Sequence, residues 1–218
     1  MFNSIHWYDM LQTMSAILDR YYNIEDVIDD FYYNSAVTYS GGFVALSDKY
    51  KERFIKDVYE VYIITSYPQR INKLIKENKL WFSDKKLKYI YHILYEHTNY
   101  GILRKLFINY TYGLIISKKS KIYSNIDLGL EVSDYYNKLF KKISEEVDYI
   151  YIDTDTFYVK ESEVEKIINL FLDNDIINYE SDGPYNYIFF RKKSYIKFDR
   201  YTILRKCGIE EKENPRYY

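Results

Sequence analysis

The sequence predicts an α+β chain in which helices pack on an antiparallel sheet. Three observations carry that expectation. Residues 57–65 (Asp57-Val58-Tyr59-Glu60-Val61-Tyr62-Ile63-Ile64-Thr65) are rich in β-branched and aromatic side chains. Residues 147–152 and 155–160 read as two apolar strands joined by the Asp153–Asp155 segment. Residues 85–116 and 131–144 instead place their apolar side chains at helical spacing.

Taken in order, residues 9–22 have Met10, Met14, Ile17, Leu18 and Tyr21 on one helical side, and Asn23 or Asn34 ends helical segments. Residues 36–45 alternate and meet Gly41-Gly42, which predicts a strand broken by a tight backbone feature. After the strand over 57–65, Pro68 suits the first turn of a helix reaching about Lys76. The longest helical pattern, 85–116, carries Leu87, Ile90, Tyr91, Leu94 and Tyr95 at core-like spacing. The next helix, 131–144, buries Val132, Tyr135, Tyr136, Leu139, Phe140 and Ile143. A helix follows the strand pair over 161–173, and 185–198 reads as a hairpin or extended pair bounded by Asp182-Gly183-Pro184.

Composition narrows the classes. The 218 residues suffice for one large domain or two small ones. There are 29 tyrosines against 7 glycines and 3 prolines. Tyr, Ile, Lys, Asn and Phe have A/T-rich codons, so the tyrosines are read as mutational bias in an A/T-rich genome rather than as tyrosine chemistry. That composition points to an organelle, a linear plasmid or an A/T-rich phage. The net charge of −1 supplies no global pull toward nucleic acid. Basic clusters at Lys85-Lys86-Leu87-Lys88, Lys118-Lys119-Ser120-Lys121 and Arg191-Lys192-Lys193 each read, alone, as a solvated face. Cys207 is the one cysteine, which excludes an internal disulfide and a thiolate metal cage. His6, His92 and His97 lack metal-site spacing. No apolar run is long enough to span a bilayer, and Met1-Phe2-Asn3-Ser4 is neither a secretory signal nor an Arg-rich import sequence.

Two segments carry chemistry. In Tyr149-Ile150-Tyr151-Ile152-Asp153-Thr154-Asp155-Thr156, two carboxylates one residue apart sit at a turn between apolar strands. Such carboxylates can hold hard cations for phosphoryl transfer, although an Asp-x-Asp turn is more often merely solvated. In Lys105-Leu106-Phe107-Ile108-Asn109-Tyr110-Thr111-Tyr112-Gly113, Lys105, Asn109 and Tyr112 share one helix face. A lysine there can meet a triphosphate and a tyrosine ring can stack on a sugar or base. The plainer reading is an amphipathic helix stopped by glycine.

Together these segments resemble family B DNA polymerases. Motif B of that family, Lys-x-x-x-Asn-Ser-x-Tyr-Gly, is matched by Lys105, Asn109, Tyr112 and Gly113, with Tyr110 in the serine position. Motif C, Asp-Thr-Asp-Ser, is matched by Asp153, Thr154, Asp155 and Thr156. Tyr39-Ser40-Gly41-Gly42 is similar to the Tyr-x-Gly-Gly segment between exonuclease and polymerase parts, and Lys193-Ser194-Tyr195 to the Lys-x-Tyr motif that holds the primer end. The order also agrees. The resemblance covers roughly residues 10–209 and leans toward protein-primed enzymes of phages and linear mitochondrial plasmids. It implies a polymerase palm-like antiparallel sheet with packed helices and a short helical fingers segment. Catalysis would rest on Asp153 and Asp155. Nucleotide binding would rest on Lys105, Asn109 and Tyr112. Nucleic-acid contacts would involve Tyr39, Gly41, Gly42, Lys193 and Tyr195.

The departures shape the functional expectation. Motif A of the family reads Asp-x-x-Ser-Leu-Tyr-Pro, and Thr65-Ser66-Tyr67-Pro68 supplies its second half. The aspartate position is then Tyr62, a phenol with an ordinary pKa of about 10 and no use as a cation ligand near neutrality. Glu60 shares that strand face but lies roughly 6–7 Å along the strand. The expected organisation is a helical linker remnant over 1–38 and a palm with reduced fingers over 39–218, the motif B helix lying at about 85–116. Exonuclease and most of the thumb are expected to be absent. The sequence thus predicts a degenerate, catalytically inactive palm and fingers protein. It would be retained as a structural or nucleic-acid-associated subunit of an organellar assembly such as a mitochondrial ribosome. Its partners would be DNA or RNA, protein subunits, or both, with no membrane span and no cofactor. The alternatives are an active minimal DNA-directed DNA polymerase using Mg2+, or a split one with its other parts on separate chains, in a phage or linear plasmid.

Overall fold

The computed structural model describes residues 41–77 and 126–209. The helices expected over 9–22 and 85–116, and the linker over 1–38, lie outside those residues. The described residues fall into two compact units, 67–77 with 126–132 and 41–66 with 133–209. The second unit holds the sheet.

That sheet has seven strands: β1 (Val44–Leu46), β2 (Phe54–Ile63), β3 (Tyr149–Asp153), β4 (Thr156–Val159), β5 (Tyr179–Arg191), β6 (Ser194–Asp199) and β7 (Thr202–Cys207). Their spatial order is β1-β3-β4-β2-β5-β6-β7, and every neighbouring pair is antiparallel. The three described helices are α1 (Ser66–Lys76), α2 (Ile126–Glu146) and α3 (Glu161–Asp173). This is the α+β arrangement expected from the sequence.

Strand alternation gives the sheet two different faces. Val61 pairs with Phe157, and both are fully buried under the helices. Phe140 of α2 stacks on Phe157 with ring centroids 4.9 Å apart, and Phe171 of α3 meets both rings edge-on at 6.4 and 6.0 Å. Ile143 and Ile167 complete this layer. On the opposite face Tyr151, Tyr158, Tyr187, Phe189 and Tyr195 form a second, aromatic core. Tyr187 and Phe189 stack at 5.0 Å, and Tyr151 meets Phe189 at 4.9 Å. Val44, Leu46, Tyr50, Tyr185 and Cys207 pack around it. Fully burying one such ring contributes about 1.5–3 kcal/mol, and each ring pair about 0.5–1.5 kcal/mol more.

In the first unit, Ile71 and Leu74 of α1 and Leu128 and Val132 of α2 are buried. The Arg70 guanidinium grips the Glu131 carboxylate there, with Nε 3.0 and 3.2 Å from its two oxygens. Pro68 falls in the first turn of α1, where a missing N–H leaves no helix bond unmade.

The structure departs from the sequence-based expectation in two places. Asp182-Gly183-Pro184 does not bound a hairpin but lies inside β5. Gly183, at φ +132°, lies so close to β2 that a Cβ would sit 2.9 Å from the Val58 carbonyl oxygen. The register against β2 shifts between Ile55 and Val58 and again between Val58 and Glu60, so the pair bends instead of ending. β1 begins at Val44, just after Gly41-Gly42, and the residues expected to lead into that pair lie outside the described ones. β7 was not expected at all, because Thr202-Ile203-Leu204-Arg205-Lys206-Cys207 has no clean alternation and lies largely exposed.

Phe157→Ala is expected to cost about 3–5 kcal/mol in urea denaturation, since it removes the ring at the centre of the helix-covered layer. Tyr201→Ala, at a side chain 86% exposed, is expected to stay within about 0.5 kcal/mol.

Candidate functional site

The chemistry-bearing residues of the sheet gather around the β3–β4 turn. Asp153 closes β3 and pairs with Thr156 across the hairpin and with Val44 on β1. Thr154 and Asp155 make the turn. Thr154 sits at φ +62°, a conformation that β-branched residues rarely adopt. Three backbone hydrogen bonds hold it there. The Asp155 N–H donates to the Asp153 carbonyl at 2.6 Å, the Thr154 N–H to the Phe43 carbonyl at 2.8 Å, and the Ile63 N–H to the Asp155 carbonyl at 3.0 Å.

The two glycines explain themselves here. A Cβ on Gly42 would lie 2.5 Å from Thr154 Cγ2, so the turn packs directly on that backbone. Gly41 takes φ +75°, and its carbonyl accepts a 2.9 Å bond from Asn137 Nδ2 of α2.

Lys193 enters from the β5–β6 turn. Its ammonium donates to Asp153 Oδ1 and, at 3.2 Å, to Thr154 Oγ1. Its backbone N–H donates to the Tyr151 hydroxyl at 2.9 Å. That hydroxyl donates in turn to Asp153 Oδ2 at 3.4 Å. Burial, then the Asp153 charge, pushes the Tyr151 phenol upward, with the Lys193 N–H opposing them. Tyr195, two residues beyond Lys193, is only 4% exposed and lies within the aromatic core. Burial raises its phenol as well.

The structure thus brings Gly41, Gly42, Asp153, Asp155 and Lys193 to one end of the sheet, with Tyr195 beneath. Tyr39, Lys105, Asn109 and Tyr112 lie outside the described residues.

Tyr62 stands on the same face, in register with Thr156 on one side and Glu180 on the other. Its hydroxyl donates to Glu180 Oε2 at 2.6 Å. That bond, and then burial, raises the phenol well above its ordinary value. Tyr62 is therefore a neutral donor throughout the physiological range. Glu60 is engaged elsewhere. It accepts from the Tyr187 hydroxyl and pairs with Lys197 Nζ at 2.9 Å. Lys197 also lies 3.5 Å from the centre of the Tyr185 ring.

Two-metal nucleotidyl transfer needs a set of carboxylates that bind and bridge divalent cations. The turn offers Asp153 and Asp155. The third position is a phenol, and Glu60 is bound to a lysine and a tyrosine. Among the described residues, no group of three or more His, Cys, Asp and Glu side chains is placed to hold a metal ion. This donor set does not fit a two-metal centre.

Sequence reading did not single out Glu180, Tyr151 or Lys197. Tyr151 was within reach, because a residue two before Asp153 on a strand shares its face. Glu180 and Lys197 depend on strand order, which a single sequence does not reveal.

No protein-family model matches the chain, and no curated protein matches it. Solved structures do. Phi29 DNA polymerase complexed with primer-template DNA matches with a TM-score of 0.54 and 13% identity, covering 94% of this chain and 60% of that one. The same polymerase with primer-template DNA and incoming nucleotides gives the same values, TM-score 0.54 and 13% identity. The family B DNA polymerase of the hyperthermophilic archaeon Pyrobaculum calidifontis matches with a TM-score of 0.49 and 16% identity, over 79% of this chain and 29% of that one. The chain thus spans less than two thirds of these polymerases. The fold is α+β and polymerase palm-like, shared with the phi29 enzyme.

Gly42→Ala is expected to destabilise the chain by about 1–3 kcal/mol through overpacking on Thr154. Thr154→Gly removes the obstructing side chain, so the double variant should recover part of that loss in a double-mutant cycle.

Stability is expected to fall above pH ~10, the ordinary tyrosine value. Tyr62, Tyr151, Tyr158, Tyr187 and Tyr195 all have raised phenols. Above that pH the unfolded chain loses protons that the folded one keeps, so alkalinity favours unfolding. Urea midpoints measured between pH 8 and 12 check this, and a level profile would contradict it.

Proposed function

We propose that this chain is a palm-like polymerase relative that does not join nucleotides. In this reading it serves as a nucleic-acid-associated or structural subunit of an organellar assembly such as a mitochondrial ribosome. One observation carries the loss of catalysis. The β2 position facing the Asp153 hairpin holds Tyr62, tied to Glu180 at 2.6 Å, where the polymerase pattern requires a bridging carboxylate. Glu60 offers no replacement, being held by Lys197 and Tyr187.

Charge distribution supports the nucleic-acid side. The chain carries a net charge of −1. Yet residues 191–206 contain the exposed Arg191, Lys192, Arg200, Arg205 and Lys206 against Asp199 alone, with Lys193 and Lys197 paired to Asp153 and Glu60 outside the segment. Most of that hairpin is exposed, with Tyr201, Ile203 and Leu204 among the exposed residues. A locally basic segment with exposed aromatic and apolar side chains suits a phosphate backbone and unstacked bases. The A/T-biased composition supports an organellar origin.

Primer extension on primed DNA with Mg2+ or Mn2+ tests the first part. No extension is expected, and extension abolished by Asp153→Asn would overturn the reading. Binding to single-stranded nucleic acid across a salt series tests the second. Arg200→Ala and Arg205→Ala are each expected to lower the log–log salt slope by about 1. Unchanged slopes would remove the hairpin from the interface. Native co-purification with a ribosome-sized particle would support the assembly, whereas a free monomer would count against it.

A further inference from the structure

We infer that the Lys193 ammonium is a resident cation for Asp153, occupying the carboxylate so that it does not take up a divalent ion. The inference rests on the non-catalytic reading above but concerns a separate property, the cation selectivity of the turn.

Both oxygens of Asp153 are engaged by groups of the chain. Oδ1 accepts from Lys193 Nζ and from the Thr154 hydroxyl, the latter at 3.2 Å. Oδ2 accepts from the Tyr151 hydroxyl at 3.4 Å. The Asp153 side chain is only 17% exposed, so most of its surface is covered by groups of the chain. A divalent ion would have to displace the ammonium or bind beside it, against repulsion between like charges at short range.

Lys193 is anchored from its backbone. Its φ is +61°, its N–H is held by Tyr151 at 2.9 Å, and its carbonyl accepts from Cys207 Sγ at 3.6 Å. Gly208 lies against the same carbonyl, where a Cβ would come within 2.1 Å of the oxygen. These contacts root the lysine stem beside Asp153. The Lys193 side chain remains 56% exposed, so its replacement need not disturb the core.

Mn2+ binding, followed by the electron paramagnetic resonance of the free ion, provides the test. The wild-type chain is expected to bind no Mn2+ through Asp153, so its titration should match that of Asp153→Asn. Lys193→Met should bind Mn2+ at least tenfold more tightly than wild type, and a second change to Asp153→Asn should abolish that gain. Lys192→Met, at the exposed neighbour, should leave the titration unchanged. If Lys193→Met does not fold, Lys193→Gln, which keeps a hydrogen-bonding side chain without the charge, is read in its place. Equal Mn2+ affinity in wild type and the Lys193 variant would overturn the inference. So would wild-type binding that Asp153→Asn removes. If wild type binds Mn2+ through Asp153 but extends no primer, the resident-cation inference fails alone. If it also extends a primer, the non-catalytic reading falls with it.

Discussion

The two-residue turn at Thr154-Asp155 is where the strands of the sheet are locked into one register. Its N–H and carbonyl groups bond to the segment before β1 and to the end of β2, on opposite sides of the hairpin. Thr154 is thereby kept at a positive φ that its branched side chain disfavours. Gly42 has to lack a side chain for the turn to fit. The Lys193 turn is then pinned on the same spot through Asp153 and Tyr151. Segments more than a hundred residues apart in sequence therefore meet through one small piece of strained backbone. Strain of this kind persists only where surrounding contacts over-determine it.

Around that turn, several acidic side chains have found a partner within the chain. Asp153 meets Lys193, Glu60 meets Lys197 and Tyr187, and Glu180 meets Tyr62. A carboxylate set built to bridge two metal ions would repel itself in the metal-free state. Here the charges are compensated by lysines, or shared with phenol donors such as Tyr62 and Tyr187. The interactions that satisfy this face are the same ones that make it a poor metal centre. The backbone is palm-like, while the polar groups on this face are paired within the chain.

Much of the sheet was legible in the sequence because it depends on local pattern. The strands around Val61 and Ile152 and the helices around Phe140 and Ile167 have apolar spacing that states their period. The juxtaposition of the Gly-Gly, Asp-Thr-Asp and Lys-x-Tyr segments was suggested only by resemblance, since spacing cannot say which strands become neighbours. The structure brings those three segments together. The first half of the strand through Gly183-Pro184 was missed because turn residues signal a stop unless the partner strand bulges to accommodate them, and that partner is far away in sequence. β7 was missed for a different reason. Its burial is slight, so no hydrophobic alternation marks it. Glu180 and Lys197 act through cross-strand neighbours, which are invisible without the strand order.

β7 ends the described sheet, with one side paired to β6. Among the described residues no strand lies on its other side, and Ile203 and Leu204 are exposed there. Arg205 and Lys206 lie on the same strand. Two copies approaching edge to edge would bring these cations together and repel. Colloidal behaviour at this edge is therefore governed by ionic strength: the charges that keep copies apart act over a distance that shrinks as salt is added.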